Sequence, residues 1–189
     1  MSLIPQDRSK LSPMMQQYLS MKDEHLDQIL MFRLGDFYEM FFDDAKLASK
    51  ELELTLTGKD CGLSERAPMC GVPYHAASAY ISRLIEKGYK VAVCEQLTDP
   101  ALSKGLVERD VIRIVTPGTV ADPSQLDEKS ACYVLCVAFV GKAAALAYAD
   151  VSTGELIAHL LNDAQRTLRD ELMRIRPREI VTNDMSKLT

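Results

Sequence analysis

The octapeptide Leu34-Gly35-Asp36-Phe37-Tyr38-Glu39-Met40-Phe41 sets two carboxylates among aromatic rings directly after a glycine. Both residue types do chemistry that depends on where they are held. A phenyl ring can stack on a nucleic-acid base, and a carboxylate can accept a hydrogen bond from one. If Gly35 ends one strand and the following residues begin another, side chains alternate. Phe37 and Glu39 then share one side, and Asp36, Tyr38 and Met40 the other. Pattern alone leaves two readings open. In one, Phe37 belongs to the core and Glu39 is a solvated neighbour. In the other, ring and carboxylate project together as a wedge. A wedge entering the minor groove must unstack a base step, which costs least where the pair is already defective. A carboxylate near phosphates is repelled unless it finds a base donor that a normal pair does not offer. Together the two groups would sense weak pairing through deformability rather than through a particular sequence.

Other chemistry finds less support. Cys61, Cys70 and His75 match no common zinc spacing. No phosphate-cradling Gly-rich loop, dinucleotide glycine pattern or His-Glu-x-x-His is present. Asp150, Glu155 and Asp170 form the alternative: ligands for two divalent ions in a metal-dependent nuclease of RNase H-like fold. Against it, Asp150 and Glu155 flank a Ser-Thr-Gly turn, where such residues shape hairpins, and Asp170 falls on the wet side of a helix.

A net charge of −5 over 189 residues weighs against a polyanionic partner, so a nucleic-acid reading must rest on local chemistry. No apolar run reaches the ~18–20 residues that span a bilayer, and the N-terminus has no apolar signal core. Five irregularly spaced cysteines suit a reducing, cytoplasmic protein.

The elements that must position the wedge follow from periodicity. Ser12-Pro13 opens a helix carrying Met14, Tyr18 and Met21. Residues 29–34 form a buried strand. Asp43-Asp44 caps a helix striped by Ala45, Ala48 and Leu52, and residues 54–58 read as a strand edge. Residues 59–73, rich in Gly, Pro and Ser, read as a long surface loop. His75 to Lys87 is an amphipathic helix stopped by Gly88. Strands follow in "YKVAVCEQL" and "LVERDVIRIV", the second with Arg109, Val111, Arg113 and Val115 on one face. Residues 117–130 have linker composition. Beyond them come a three-strand meander, a helix with Leu168, Leu172 and Ile175 on one face, and a fourth strand. That last module is small for a self-sufficient core, so the chain is expected to stop partway through a larger domain.

The motifs "SPMMQQYLSMK", "FRLGDFYEMFFDDA", "PMCGVPYHA", "CEQL-TDP" and "VERDVIRIVTPGT" resemble the N-terminal part of the MutS family of DNA mismatch-repair sensors. The resemblance covers residues 10 to 120 and continues more weakly to the end. It implies an α/β (α+β) fold: a mixed β-sheet flanked by helices over residues 1–117, a linker at 118–129, and a truncated RNase H-like connector module over 130–189. It implies that Phe37 inserts from the minor groove and stacks on a mispaired base while Glu39 hydrogen-bonds to that base. Leu34 would touch the sugar edge, Pro68 and Met69 would pack in the same groove, and Lys59 and Arg109 would contact phosphates. The implied partner is double-stranded DNA with mismatches or small unpaired loops. The full-length family adds a homodimer, downstream repair proteins met through the connector, and an ATPase using ATP and magnesium. No cofactor, catalytic residue or metal site is expected in these residues themselves.

Overall fold

The computed structural model describes residues 7–98, 105–119 and 132–188. The chain divides into two compact units, the first ending at Val115 and the second beginning at Thr116. The expected linker lies mostly outside the described residues. Its first residue packs with the second unit: the Gly118 amide donates to Glu179 Oε2 at 3.4 Å, and just before it the Pro117 carbonyl accepts from the Cys132 thiol at 3.1 Å.

The first unit is a six-stranded mixed sheet in the order β3-β4-β2-β1-β5-β6. Its elements are α1 (Pro13–Glu24), β1 (Ile29–Leu34), β2 (Phe37–Phe41), α2 (Phe42–Leu52), β3 (Thr57–Lys59), β4 (Ala67–Pro73), α3 (Ala77–Glu86), β5 (Val91–Gln96) and β6 (Arg109–Val115). Only β1 and β5 run parallel; the other neighbours are antiparallel. One sheet face carries Leu30, Phe32, Phe41, Ala67, Ala92 and Cys94, and it buries these against Met15, Tyr18 and Leu19 of α1. The helix thus turns Met15, Tyr18 and Leu19 fully inward, with Met14 and Met21 at the margin of the core. The opposite face, with Met40, Cys70 and Val72, meets α2, where the Cys70 thiol donates to the Ala45 carbonyl at 3.4 Å.

Three sequence expectations are corrected. Residues 59–73 are not one loop: Ala67–Pro73 is a strand inside the sheet, between β2 and β3. Asp44 does not cap α2 but lies buried in its first turn. Its carboxylate accepts from Lys22 Nζ at 2.8 Å, the Leu30 amide at 3.0 Å and the Tyr18 hydroxyl at 3.2 Å. Burial raises the Asp44 pKa and the Lys22 ammonium opposes that. In β6 the alternation breaks, because a bulge shifts register between Val93 and Cys94. Arg113 and Val115 therefore pair with Val93 and Val91, on the face opposite Val111, whose partner is Cys94.

The second unit is a four-stranded sheet in the order β10-β7-β8-β9. β7 (Tyr133–Val140), β8 (Ala143–Asp150) and β9 (Glu155–Leu161) form the expected meander, α4 (Ala164–Ile175) follows, and β10 (Glu179–Thr182) lies parallel to β7. Leu135, Val137, Phe139, Leu146 and Tyr148 pack with Leu168 and Ile175 of α4.

Candidate nucleic-acid interface

β1 and β2 are joined by a two-residue turn, Gly35-Asp36, with Leu34 paired to Phe37. Gly35 has φ +58° while Asp36 does not enter the left-handed region, the pattern of a type II′ hairpin turn. The turn is anchored from just past the end of β4, since the Tyr74 amide donates to the Asp36 carbonyl at 2.9 Å. Along β2 the period of two then sorts the side chains. Tyr38 and Met40 are buried on the α2 side. Phe37, Glu39 and Phe41 share the other face, where α1 covers Phe41, whose ring meets that of Tyr18 at 4.9 Å between centroids. At the Phe37 end that cover stops, and 47% of the residue remains exposed.

Behind the hairpin, on the Tyr38 side, sits a set of side chains that sequence reading missed. Arg33 lies 3.9 Å over the Tyr74 ring and 3.4 Å from the Glu95 carboxylate. Its Nε donates to the Gly35 carbonyl, and the Tyr38 hydroxyl donates to Glu95. Burial, with Glu95 beside it, pushes the Tyr38 hydroxyl up to about 12. These contacts tie the turn to β5 and to Tyr74, just past the end of β4. The signal available beforehand was an arginine inside an otherwise apolar strand, on the same side as Tyr38.

The expected site residues divide. Leu34, paired with Phe37, is half-buried and packs on the α1-side core. Met69, opposite Phe41, shares the Phe37 face. Pro68 does not: it pairs with Gly58 and lies on the other face of the sheet. Lys59 is held in an ion pair with Glu39 at 2.5 Å. Arg109 is only 7% exposed, and its guanidinium is spent inside the fold. It donates to the Arg33 carbonyl and Gln17 Oε1, both at 2.9 Å, and to the Val107 carbonyl at 3.0 Å, 4.9 Å over the Phe32 ring. Arg109 is thus a strut between β6, β1 and α1, not a group poised for a phosphate. Arg66, exposed one residue before β4, is a cation that sequence reading passed over.

The nuclease carboxylates are not assembled. Asp150 accepts from the Ser152 amide and hydroxyl and from the Cys132 amide, which hold it below the usual carboxylate range. Glu155 faces Asp150 across the hairpin but accepts from the Tyr133 hydroxyl at 2.7 Å, and Asp170 is exposed on α4. Among the described residues no three His, Cys, Asp or Glu side chains come together as a metal site. Cys61 and Cys70 are buried thiols.

Comparison with known proteins gives two family matches: MutS domain I over residues 12–124 and MutS domain II over residues 132–187. The chain is similar to the DNA mismatch repair protein MutS of Acetivibrio thermocellus, 58% identical over 93% of this chain and 20% of that protein. It is 56% identical to that of Ruminiclostridium cellulolyticum, over 92% of this chain and 20% of the relative, and 54% identical to that of Clostridium tetani, with the same shares. The chain spans about a fifth of the length of the curated relatives it matches.

Proposed function

The chain belongs to the MutS family through its domains I and II, and from that premise we propose that its first unit reads mispaired DNA with Phe37 and Glu39. Phe37 enters the minor groove at a weak step and stacks on the mispaired or unpaired base. Glu39 accepts a hydrogen bond from that base. Leu34, paired with Phe37, and Met69, further along the same face opposite Phe41, supply apolar contact to the groove. Double-stranded DNA with a mismatch or a short unpaired loop is the substrate. The second unit acts as the connector to the rest of the longer protein, its dimer partner and downstream repair proteins.

One observation carries this reading: Phe37 keeps 47% of its surface in water while Tyr38, Met40, Phe41 and Phe42, its neighbours in sequence, are buried. Exposing a phenyl ring forfeits about 1–2 kcal/mol of burial, and here the hairpin that holds it is braced by Tyr74 and by Glu95 of β5. A braced ring loses little further entropy on insertion, so more of its stacking energy offsets the few kcal/mol of unstacking. Discrimination follows because a mispaired step costs less to open than a paired one, while the stacking gained is similar.

The test is Phe37→Ala in a full-length MutS carrying these residues, with binding measured to mispaired and perfect duplexes of otherwise identical sequence. Preference for the mispair is expected to fall to near unity while affinity for perfect duplex changes little. Retained preference would end the reading, and so would loss of the fold, which would make Phe37 a core residue.

A further inference from the structure

Glu39 is not left to water. Lys59, two strands away in β3, donates to its Oε2 at 2.5 Å, and the two side chains remain 14% and 32% exposed. Register puts them on one face but out of line, Glu39 opposite Gly71 and Lys59 opposite Ala67, so the two side chains reach toward each other diagonally across β4. The strand they cross is low at that point. A Cβ on Gly71 would stand 3.4 Å from Glu39 Cγ and 3.2 Å from the Tyr38 carbonyl oxygen, so glycine gives the Glu39 side chain its lane toward Lys59. Lys59 Nζ also lies 5.9 Å from the Phe41 ring, over the same face. Glu39 Oε1 carries no hydrogen bond from any described residue.

We propose that Lys59 is a positioning residue for the mismatch wedge: its ammonium pins Oε2 of Glu39 past Gly71 and leaves Oε1, on the face that carries Phe37, to accept from an unpaired base donor. That role rests on the wedge reading of Phe37 and Glu39. Its physical basis is twofold. An unpinned glutamate must freeze its side-chain torsions when it meets the base, whereas a pinned one has already done so. An uncompensated carboxylate repels phosphates on every duplex, whereas a paired one brings less penalty to the groove and keeps an acceptor for the defective step. Lys59 therefore acts through Glu39. A lysine that simply touched phosphate would strengthen all duplexes alike, whatever residue stood at position 39.

A double-mutant cycle separates the two. In full-length MutS carrying these residues, Kd is measured for mispaired and perfect duplexes at fixed salt. Lys59→Met is expected to lower the ratio of the two roughly three- to ten-fold, and Lys59→Arg to retain most of it. In a Glu39→Gln background, Lys59→Met is expected to leave the ratio unchanged within about two-fold. Equal losses on both duplexes, in both backgrounds, would overturn the proposal and make Lys59 a phosphate contact. Phe37→Ala in the same assay reports on the wedge alone. If it keeps the preference, the wedge reading fails; if it loses the preference while the cycle is additive, only the role of Lys59 falls. Thermal melting of the Lys59→Arg and Lys59→Met proteins, expected within a few degrees of the parent, shows that the ratio does not move through misfolding.

Discussion

Two residues of the first unit show how little charge or hydrophobicity alone says about role. Phe37 is apolar and half in water; Arg109 is charged and almost wholly buried. Their substitutions should invert the usual expectation. Phe37→Ala removes a ring that contributes little burial, so its stability cost is expected at about 1 kcal/mol or less. Arg109→Met leaves Gln17 Oε1 and the Arg33 carbonyl without their donor, and is expected to cost about 2–4 kcal/mol. Urea titration checks both, as a shift of midpoint with an unchanged slope. An Arg109→Met protein as stable as the parent would remove the strut role and return Arg109 to the list of candidate DNA contacts. The Phe37-x-Glu39 pair was legible in the sequence because strand alternation is local and needs no partner. The fate of the cations was not. A lysine that meets its carboxylate across an intervening strand, or an arginine folded under β1, depends on register between segments tens of residues apart, which charge in one dimension does not encode.

At the scale of elements, local patterns were informative wherever periodicity and turn chemistry agreed. The β1–Gly35 break, α3 with its stop at Gly88, and the β7-β8-β9 meander were all readable for that reason. β4 was hidden because "APMCGVP" has the composition of a loop. Its prolines sit near the strand ends, Pro68 opposite Gly58 of the three-residue β3 and Pro73 opposite Phe37 in the last pair with β2, so the middle of the ladder keeps its donors. The turn joining β8 to β9 shows the converse: a carboxylate that looked catalytic is structural. Asp150 accepts from the Ser152 hydroxyl at 2.5 Å and its amide at 2.9 Å, and from the Cys132 amide at 3.1 Å. Those bonds favour the ionised form and depress its pKa below the unfolded value of about 4. The stabilisation is thus present above that value and lost as pH falls through the folded one. Asp150→Asn is expected to destabilise the protein by about 1–2 kcal/mol at neutral pH, with the gap to the parent closing below about pH 4. Chemical denaturation at several pH values checks it; a gap that persists unchanged at pH 3 would mean that the carboxylate's charge does not hold the turn.

For the whole molecule, surface character matters more than totals. A net charge of −5 argued against DNA, but in the first unit Lys22, Lys59, Arg33 and Arg109 are engaged by internal partners, so the charge count describes the core network as much as any binding surface. In the second unit the informative surface is apolar. With α4 on the Leu135–Val137–Phe139 side, register puts Cys136, Ala138 and Val140 of β7, Ala145 and Ala147 of β8, and Leu156, Ala158 and Leu160 of β9 on the other side. Leu156 and Leu160 are 71% and 74% exposed. Alanines that flatten the middle strand leave those leucines standing on a smooth apolar floor, a larger patch than scattered surface hydrophobics make. Such a face binds amphiphilic dyes without any loss of fold. Leu156→Lys with Leu160→Lys is therefore expected to lower ANS fluorescence of the native chain several-fold, while its melting temperature moves by only a few degrees, because neither side chain contributes to the α4-side core. Far-UV circular dichroism of the same samples checks that the dye reports native surface. If the double variant unfolds instead, those leucines are packed, and the second sheet face is not the open surface described.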